Sequence, residues 1–193
     1  MGDRSLLHRW VGSICATVLI PVAAACAMAA QGGGKLAPDV PMPQDVVERM
    51  LAFAGVTRDD TVYDIGSGDG RIVVTAAKKY GAHGVGIEID PARVSDAKRN
   101  AQRAGVGDLV TIRLQDAVEA DVSPASVVTL YLTTAANAKL RPQLTRQLKP
   151  GARVVSLAFD MGNWKPTKVD RFDDVTGTPR VIYLWVAGPT PAQ

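Results

Sequence analysis

Between Thr61 and Tyr80 the chain passes from a strand-forming run through a glycine loop into a helix. Thr61-Val62-Tyr63-Asp64-Ile65 is rich in residues that suit a pleated, buried strand. Gly66-Ser67-Gly68-Asp69-Gly70 follows, with glycine at alternate positions, and a helical pattern then runs from about Arg71 to Tyr80. Alternating glycines remove side chains where a ligand must approach the backbone, and the helix start that follows is electropositive. Strand, tight loop and helix in immediate succession commit the chain to a βα unit, and the pattern downstream has to be compatible with it.

It is compatible. Val46, Val47, Met50, Leu51 and Ala54 recur at helical spacing, and Gly55 stops that helix. Gly84–Ile89 reads as a second strand. Pro91 opens a helix running to about Ala104, and Leu109–Leu114 is a third strand. Ser126–Leu132 is a fourth. Asn137–Leu148 is helical, with Pro142 as a kink or first-turn residue, and Arg153–Phe159 is a fifth strand. Lys168–Phe172 and Val181–Val186 complete a set of seven. Strands alternating with helices predict a doubly wound, mostly parallel α/β sheet covered on both faces. The last two strands have no helix between them, so the final strand is expected to be antiparallel. Ligands in such folds bind beyond the carboxyl ends of the strands, where the strand order reverses.

The ends of the chain read differently. In residues 1–30, Arg4 and Arg9 precede an uncharged apolar run from Trp10 to Ala30, and Ala27-Met28-Ala29 fits a signal-peptidase pattern. A signal peptide and a retained membrane anchor are both open, the latter giving membrane association through residues 10–30; lipidation at Cys26 is a third, weaker reading. The flanking arginines orient the body outside the cytoplasm, exported or membrane-anchored. If the leader is a mis-assigned start, the domain is cytoplasmic. Residues 31–43 form a Gly/Pro-rich linker, 44–187 the domain and 188–193 a tail.

Composition narrows the chemistry. The 193 residues hold two Cys and two His, and both Cys lie in the leader. From residue 31 onward only His83 remains of the four, at the strand ends opposite the glycine loop. A Cys/His metal site, a disulfide framework and a Cys nucleophile are therefore excluded from the domain, and no metal is expected. A net charge of +3 and 5% aromatic residues give no argument for nucleic acid.

What remains at the strand ends is carboxylate. A dinucleotide loop needs its third small residue at position 71, and Arg71 stands there. Asp64 precedes the first glycine by two residues, Asp69 lies within the loop, and Glu88 ends the second strand. Carboxylates are poor company for a pyrophosphate. They suit a ligand carrying an ammonium and a sulfonium, as S-adenosyl-L-methionine (SAM) does. Glu88 is placed to accept from the ribose hydroxyls, and Asp116 from the adenine amino group. The cofactor-binding set is therefore Asp64, Gly66, Ser67, Gly68, Asp69, Gly70, Glu88 and Asp116.

These residues resemble class I SAM-dependent methyltransferases. Within them the chain is similar to the small protein-lysine N-methyltransferases that include archaeal broad-specificity enzymes and mitochondrial enzymes modifying the ATP synthase c-type ring protein and the adenine nucleotide translocase. The likeness runs over residues 40–187. It is carried by Pro41-Met42-Pro43-Gln44-Asp45-Val46-Val47-Glu48-Arg49-Met50-Leu51, by Asp64–Arg71, by Gly84–Glu88, by Val127-Val128-Thr129-Leu130-Tyr131-Leu132-Thr133-Thr134, and by Leu148–Ser156. Met42 departs from the family's Ser or Thr, and Leu157-Ala158 stands where the family has His and a polar residue. The resemblance implies in-line methyl transfer to a lysine side chain of a protein substrate, without a metal. Tyr131 is the catalytic candidate on the acceptor side, with Thr133, Asn137 and Trp164 as substrate-binding candidates. A small-molecule acceptor is a second reading, and an exported, non-catalytic SAM-binding protein a third.

Overall fold

The structure, a computed structural model, describes residue 36 and residues 40–188. The leader at 1–30 lies outside the described residues, as do most of the linker and most of the tail. Among the described residues no helix is long and apolar enough to cross a membrane.

The elements follow in the order α1 (Gln44–Phe53), β1 (Thr61–Ile65), α2 (Arg71–Tyr80), β2 (His83–Glu88), α3 (Pro91–Arg103), β3 (Val110–Leu114), a short 3-10 turn (Ala117–Glu119), β4 (Val127–Leu130), α4 (Thr134–Gln147), β5 (Arg153–Leu157), β6 (Lys168–Asp173) and β7 (Pro179–Val186). They build one seven-stranded sheet in the order β3-β2-β1-β4-β5-β7-β6. Every pairing is parallel except those of β7, which runs antiparallel to both β5 and β6. The order reverses between β1 and β4, which fixes the expected ligand position at the ends of those two strands.

Alternation along the strands feeds two cores. Tyr63, Ile65, Val128, Leu130 and Val154 pack with Ala136, Leu140 and Leu144 of α4 and with Trp185. Val62, Val127, Val155 and Leu157 face the other way, onto Val46, Val47, Met50 and Leu51 of α1 and Ile72 and Ala76 of α2. A smaller cluster of Val73, Val94, Ala97 and Ile112 seats α3. Burying these faces supplies the main drive to fold.

Boundaries depart from the sequence expectation where tertiary contacts decide them. α4 begins at Thr134, not Asn137, because the Thr133 hydroxyl accepts from the Ala136 amide and caps it. It continues through Pro142 to Gln147. β5 stops at Leu157, since Ala158 turns into a left-handed conformation with φ 67°.

Candidate functional site

Glycine geometry shapes the cleft at the end of β1. Gly68 and Gly70 hold φ of 52° and 77°, which L side chains rarely adopt. The amides of Gly66 and Ser67 both donate to the Ile87 carbonyl, at 2.9 and 3.0 Å, so the loop is anchored on β2. A side chain at Gly68 would enter open space, whereas one at Gly86 would meet Ser67 Oγ at 2.7 Å. The loop is thus sunk onto β2 at a strand position that carries no side chain.

Carboxylates converge on this loop. Asp64 is 3% exposed and accepts from the Thr129 hydroxyl at 2.7 Å, a bond that crosses from β1 to β4. Burial pushes its carboxyl up; Thr129 opposes this, the charges of Glu88 and Asp69 reinforce it, and the pKa reaches about 7. Glu88 accepts from the Gly68 amide at 2.8 Å through one oxygen and from the Ile89 and Asp90 amides through the other. Asp69 is gripped by Arg71, whose hydrogen bonds chiefly hold its carboxyl below the usual range. The Asn100 side chain of α3 donates to the Asp69 carbonyl at 2.8 Å. Asp116 accepts from the Val118 amide at 3.0 Å and caps the 3-10 turn.

One cleft joins these groups. Asp64, Gly66, Ser67, Gly68, Asp69, Glu88 and Asp116 line it, with Tyr131 and Leu132 at the β4 end. Gly70 is set back as the N-cap of α2. Further wall residues lie outside the site predicted from the sequence: Leu36, Val40, Pro41 and Met42 ahead of α1, Ile89 and Arg93 beside Glu88, and Gln115 and Ala117 beside Asp116. Gln115 and Ala117 flank a residue that was identified, so proximity in sequence was a usable signal. Pro41 and Met42 stand in the motif that carries the family resemblance, which marked them but did not place them at the cleft.

The acceptor-side candidates are less gathered. Tyr131 is half-buried on the cleft wall and packs against the core that holds Met42 and Leu157. Thr133, Asn137 and Trp164 are not among the lining residues. Asn137 is fully buried, its amide donating to Ser156 Oγ and to the carbonyls of Phe159 and Asp160, while its Oδ1 has no partner. Trp164 packs at a tilt against Trp185, with centroids 6.0 Å apart, and accepts that ring's N–H through its carbonyl. His83 opens β2, paired with Thr61 at the far end of the sheet. Among the described residues no group of three or more His, Cys, Asp or Glu is placed to hold a metal ion.

The donor set fits an adenosyl ligand with a cationic end. Among the described residues Ser67 Oγ is buried with no hydrogen-bond partner, the space beside Gly68 is open, and the groups acting on the buried Asp64 carboxylate are Thr129, Glu88 and Asp69, none of them a cation. A cation reaching Asp64 would relieve that burial cost.

The chain is similar to known methyltransferases. The family model of the ANTKMT methyltransferase domain matches residues 64–168, more than half of the 193. A protein-lysine N-methyltransferase of Saccharolobus islandicus (strain REY15A) is 43% identical over 152 residues, covering 78% of this chain and 94% of that protein. The adenine nucleotide translocase lysine N-methyltransferase of Mus musculus is 33% identical over 134 residues, 69% of this chain; the chain spans 57% of its length. Among solved structures, an RNA methyltransferase from Salinibacter ruber in complex with S-adenosyl-L-homocysteine is 52% identical, with a TM-score of 0.73, covering 80% of this chain and 97% of that one.

Proposed function

The chain belongs to the ANTKMT methyltransferase domain family, and from that premise we propose that it is a SAM-dependent N-methyltransferase acting on lysine side chains of proteins. The observation that carries the reading is the convergence of Asp64, Glu88 and Asp69 on a glycine loop sunk onto β2. SAM supplies the sulfonium methyl group. Asp64 would meet the cationic amino-acid end, and Glu88 would take the ribose hydroxyls. Asp116 and Ala117, which line the same cleft as Ile89, would frame the adenine.

On the acceptor side the protein has to supply alignment and a dry mouth. Transfer requires a neutral amine, and a free lysine has a pKa of about 10.4. The apolar surroundings of Tyr131 and Leu132 disfavour the charged form of an amine entering there. The Tyr131 hydroxyl orients the amine, which is the role proposed for it. Holding the reacting atoms in line accounts for the rate without acid–base chemistry at a displaced neutral thioether.

A second reading, an RNA acceptor, rests on one observation, the Salinibacter ruber relative. Incubating the purified protein with methyl-labelled SAM and, in separate arms, cell protein, RNA and metabolite extract distinguishes the acceptors. Label in protein that survives nuclease and is found on lysine after hydrolysis is the expected result. Label confined to RNA or to metabolites overturns the lysine assignment.

A further inference from the structure

The family match begins at Asp64, yet the cleft has a wall built from residues well ahead of it. Leu36, Val40, Pro41 and Met42 line the same space as the glycine loop. Met42 is buried in the core of α1 and α2, whereas Leu36 packs against the core on the other face of the sheet. Leu36 and Met42 therefore each join the cleft wall to a different core.

One side chain ties this segment to the loop. Arg71 donates through Nη1 to the Met42 carbonyl at 2.6 Å. Through Nε and Nη2 the same guanidinium donates to the Asp69 carboxylate, at 2.9 and 2.5 Å. A planar guanidinium presents its donors in a fixed fork, so it holds two acceptors at a set separation, which a lysine cannot do. The side chain is 31% exposed, so the pair is partly shielded from water.

We propose that Leu36 and Val40–Met42 form a strap that belongs to the SAM site, and that Arg71 is the positioning residue latching it to the glycine loop. The inference rests on the proposed use of SAM. With the latch made, ligand leaves only after the Met42–Arg71 bond breaks, so the latch sets how long SAM stays.

The test uses the full chain, with SAM itself as the probe. SAM binding is measured by calorimetry, its release by stopped-flow competition, and exchange of the Val40 and Met42 amides by hydrogen–deuterium exchange. Wild type is expected to bind SAM and to protect those amides when bound. Arg71→Lys and Arg71→Gln are expected to release SAM at least ten-fold faster and to lose that protection, while the ligand-free proteins melt as wild type does. Leu36→Ser, which leaves Arg71 and Asp69 untouched, is expected to speed release in the same direction. It keeps the question open to test if the Arg71 variants do not fold. Failure of wild type to bind SAM would remove the proposed function itself. Wild-type binding with release and amide protection unchanged in the variants would overturn the strap alone, as would a Leu36→Ser variant with wild-type release.

Discussion

Asp64 carries an electrostatic cost that a bound cation would remove. In the ligand-free protein its carboxyl titrates at about 7, because burial disfavours the charge. The unfolded chain releases that proton near pH 3.9, so the folded form holds more protons between the two values. This group's contribution to stability is full below about pH 4 and is lost as pH rises through 7. Asp64→Asn is therefore expected to gain on wild type with rising pH, by a few kcal/mol at pH 8 in denaturant titrations, while losing SAM affinity at every pH. In wild type, SAM affinity measured by calorimetry should rise from pH 5 to 7 as Asp64 ionises. Gly86 has a steric role. Gly86→Ala sets a methyl 2.7 Å from Ser67 Oγ and 2.8 Å from Ile112 Cδ1. We expect a cost of about 1–3 kcal/mol in unfolding experiments, with a larger proportional loss of SAM affinity because the loop is displaced. At this scale the sequence was informative wherever chemistry and spacing coincide. Asp64, Glu88 and Asp116 were legible because each acid falls at a strand end beside one glycine loop. Arg93 was not, because nothing local marks a residue that reaches the cleft from a helix face, and Met42 stood out in its motif without any sign that it lines the cleft.

Between elements, the sheet is stapled at the end opposite the cleft. Arg153 of β5 donates to the Asp60 carboxylate and to the carbonyls of Ala54 and Gly55, closing the end of α1. Burial works against the Asp60 charge, but hydrogen bonds from Ser126 and Thr57 and the charge of Arg153 hold its carboxyl low. Arg153→Ala strands a carboxylate that is 7% exposed. It is expected to cost about 3 kcal/mol in thermal or denaturant unfolding and to leave SAM affinity unchanged, the cleft being at the other end of the strands. Hydrophobic periodicity disclosed all seven strands and the four helices. Element ends were less legible. The start of α4 depends on a Thr133 side-chain bond, and the end of β5 on the Ala158 turn. Asn137 and Trp164 were read as acceptor contacts from their place near a strand end and in a loop. Their partners, Ser156, Phe159, Asp160 and Trp185, lie 19 to 23 residues away, too far for a local pattern to reveal.

For the molecule as a whole, location decides access to the cofactor. Residues 1–30 are proposed to export or anchor the domain, which would separate it from cytoplasmic SAM. Protease added to cells stripped down to the cytoplasmic membrane is expected to degrade the domain; protection until that membrane is lysed would put it in the cytoplasm beside its cofactor. The sheet itself has a further implication. Its order reverses between β1 and β4, and the bond from Thr129 to Asp64 spans that seam. The acids lie on the β1–β3 side, while Tyr131 and the turns after β5 lie on the other. Selection can therefore work on the two sides at different rates. The β1–β3 side is constrained by one unchanging metabolite. In the proposed reading the other side faces the acceptor, so a change of target need not disturb the cofactor half.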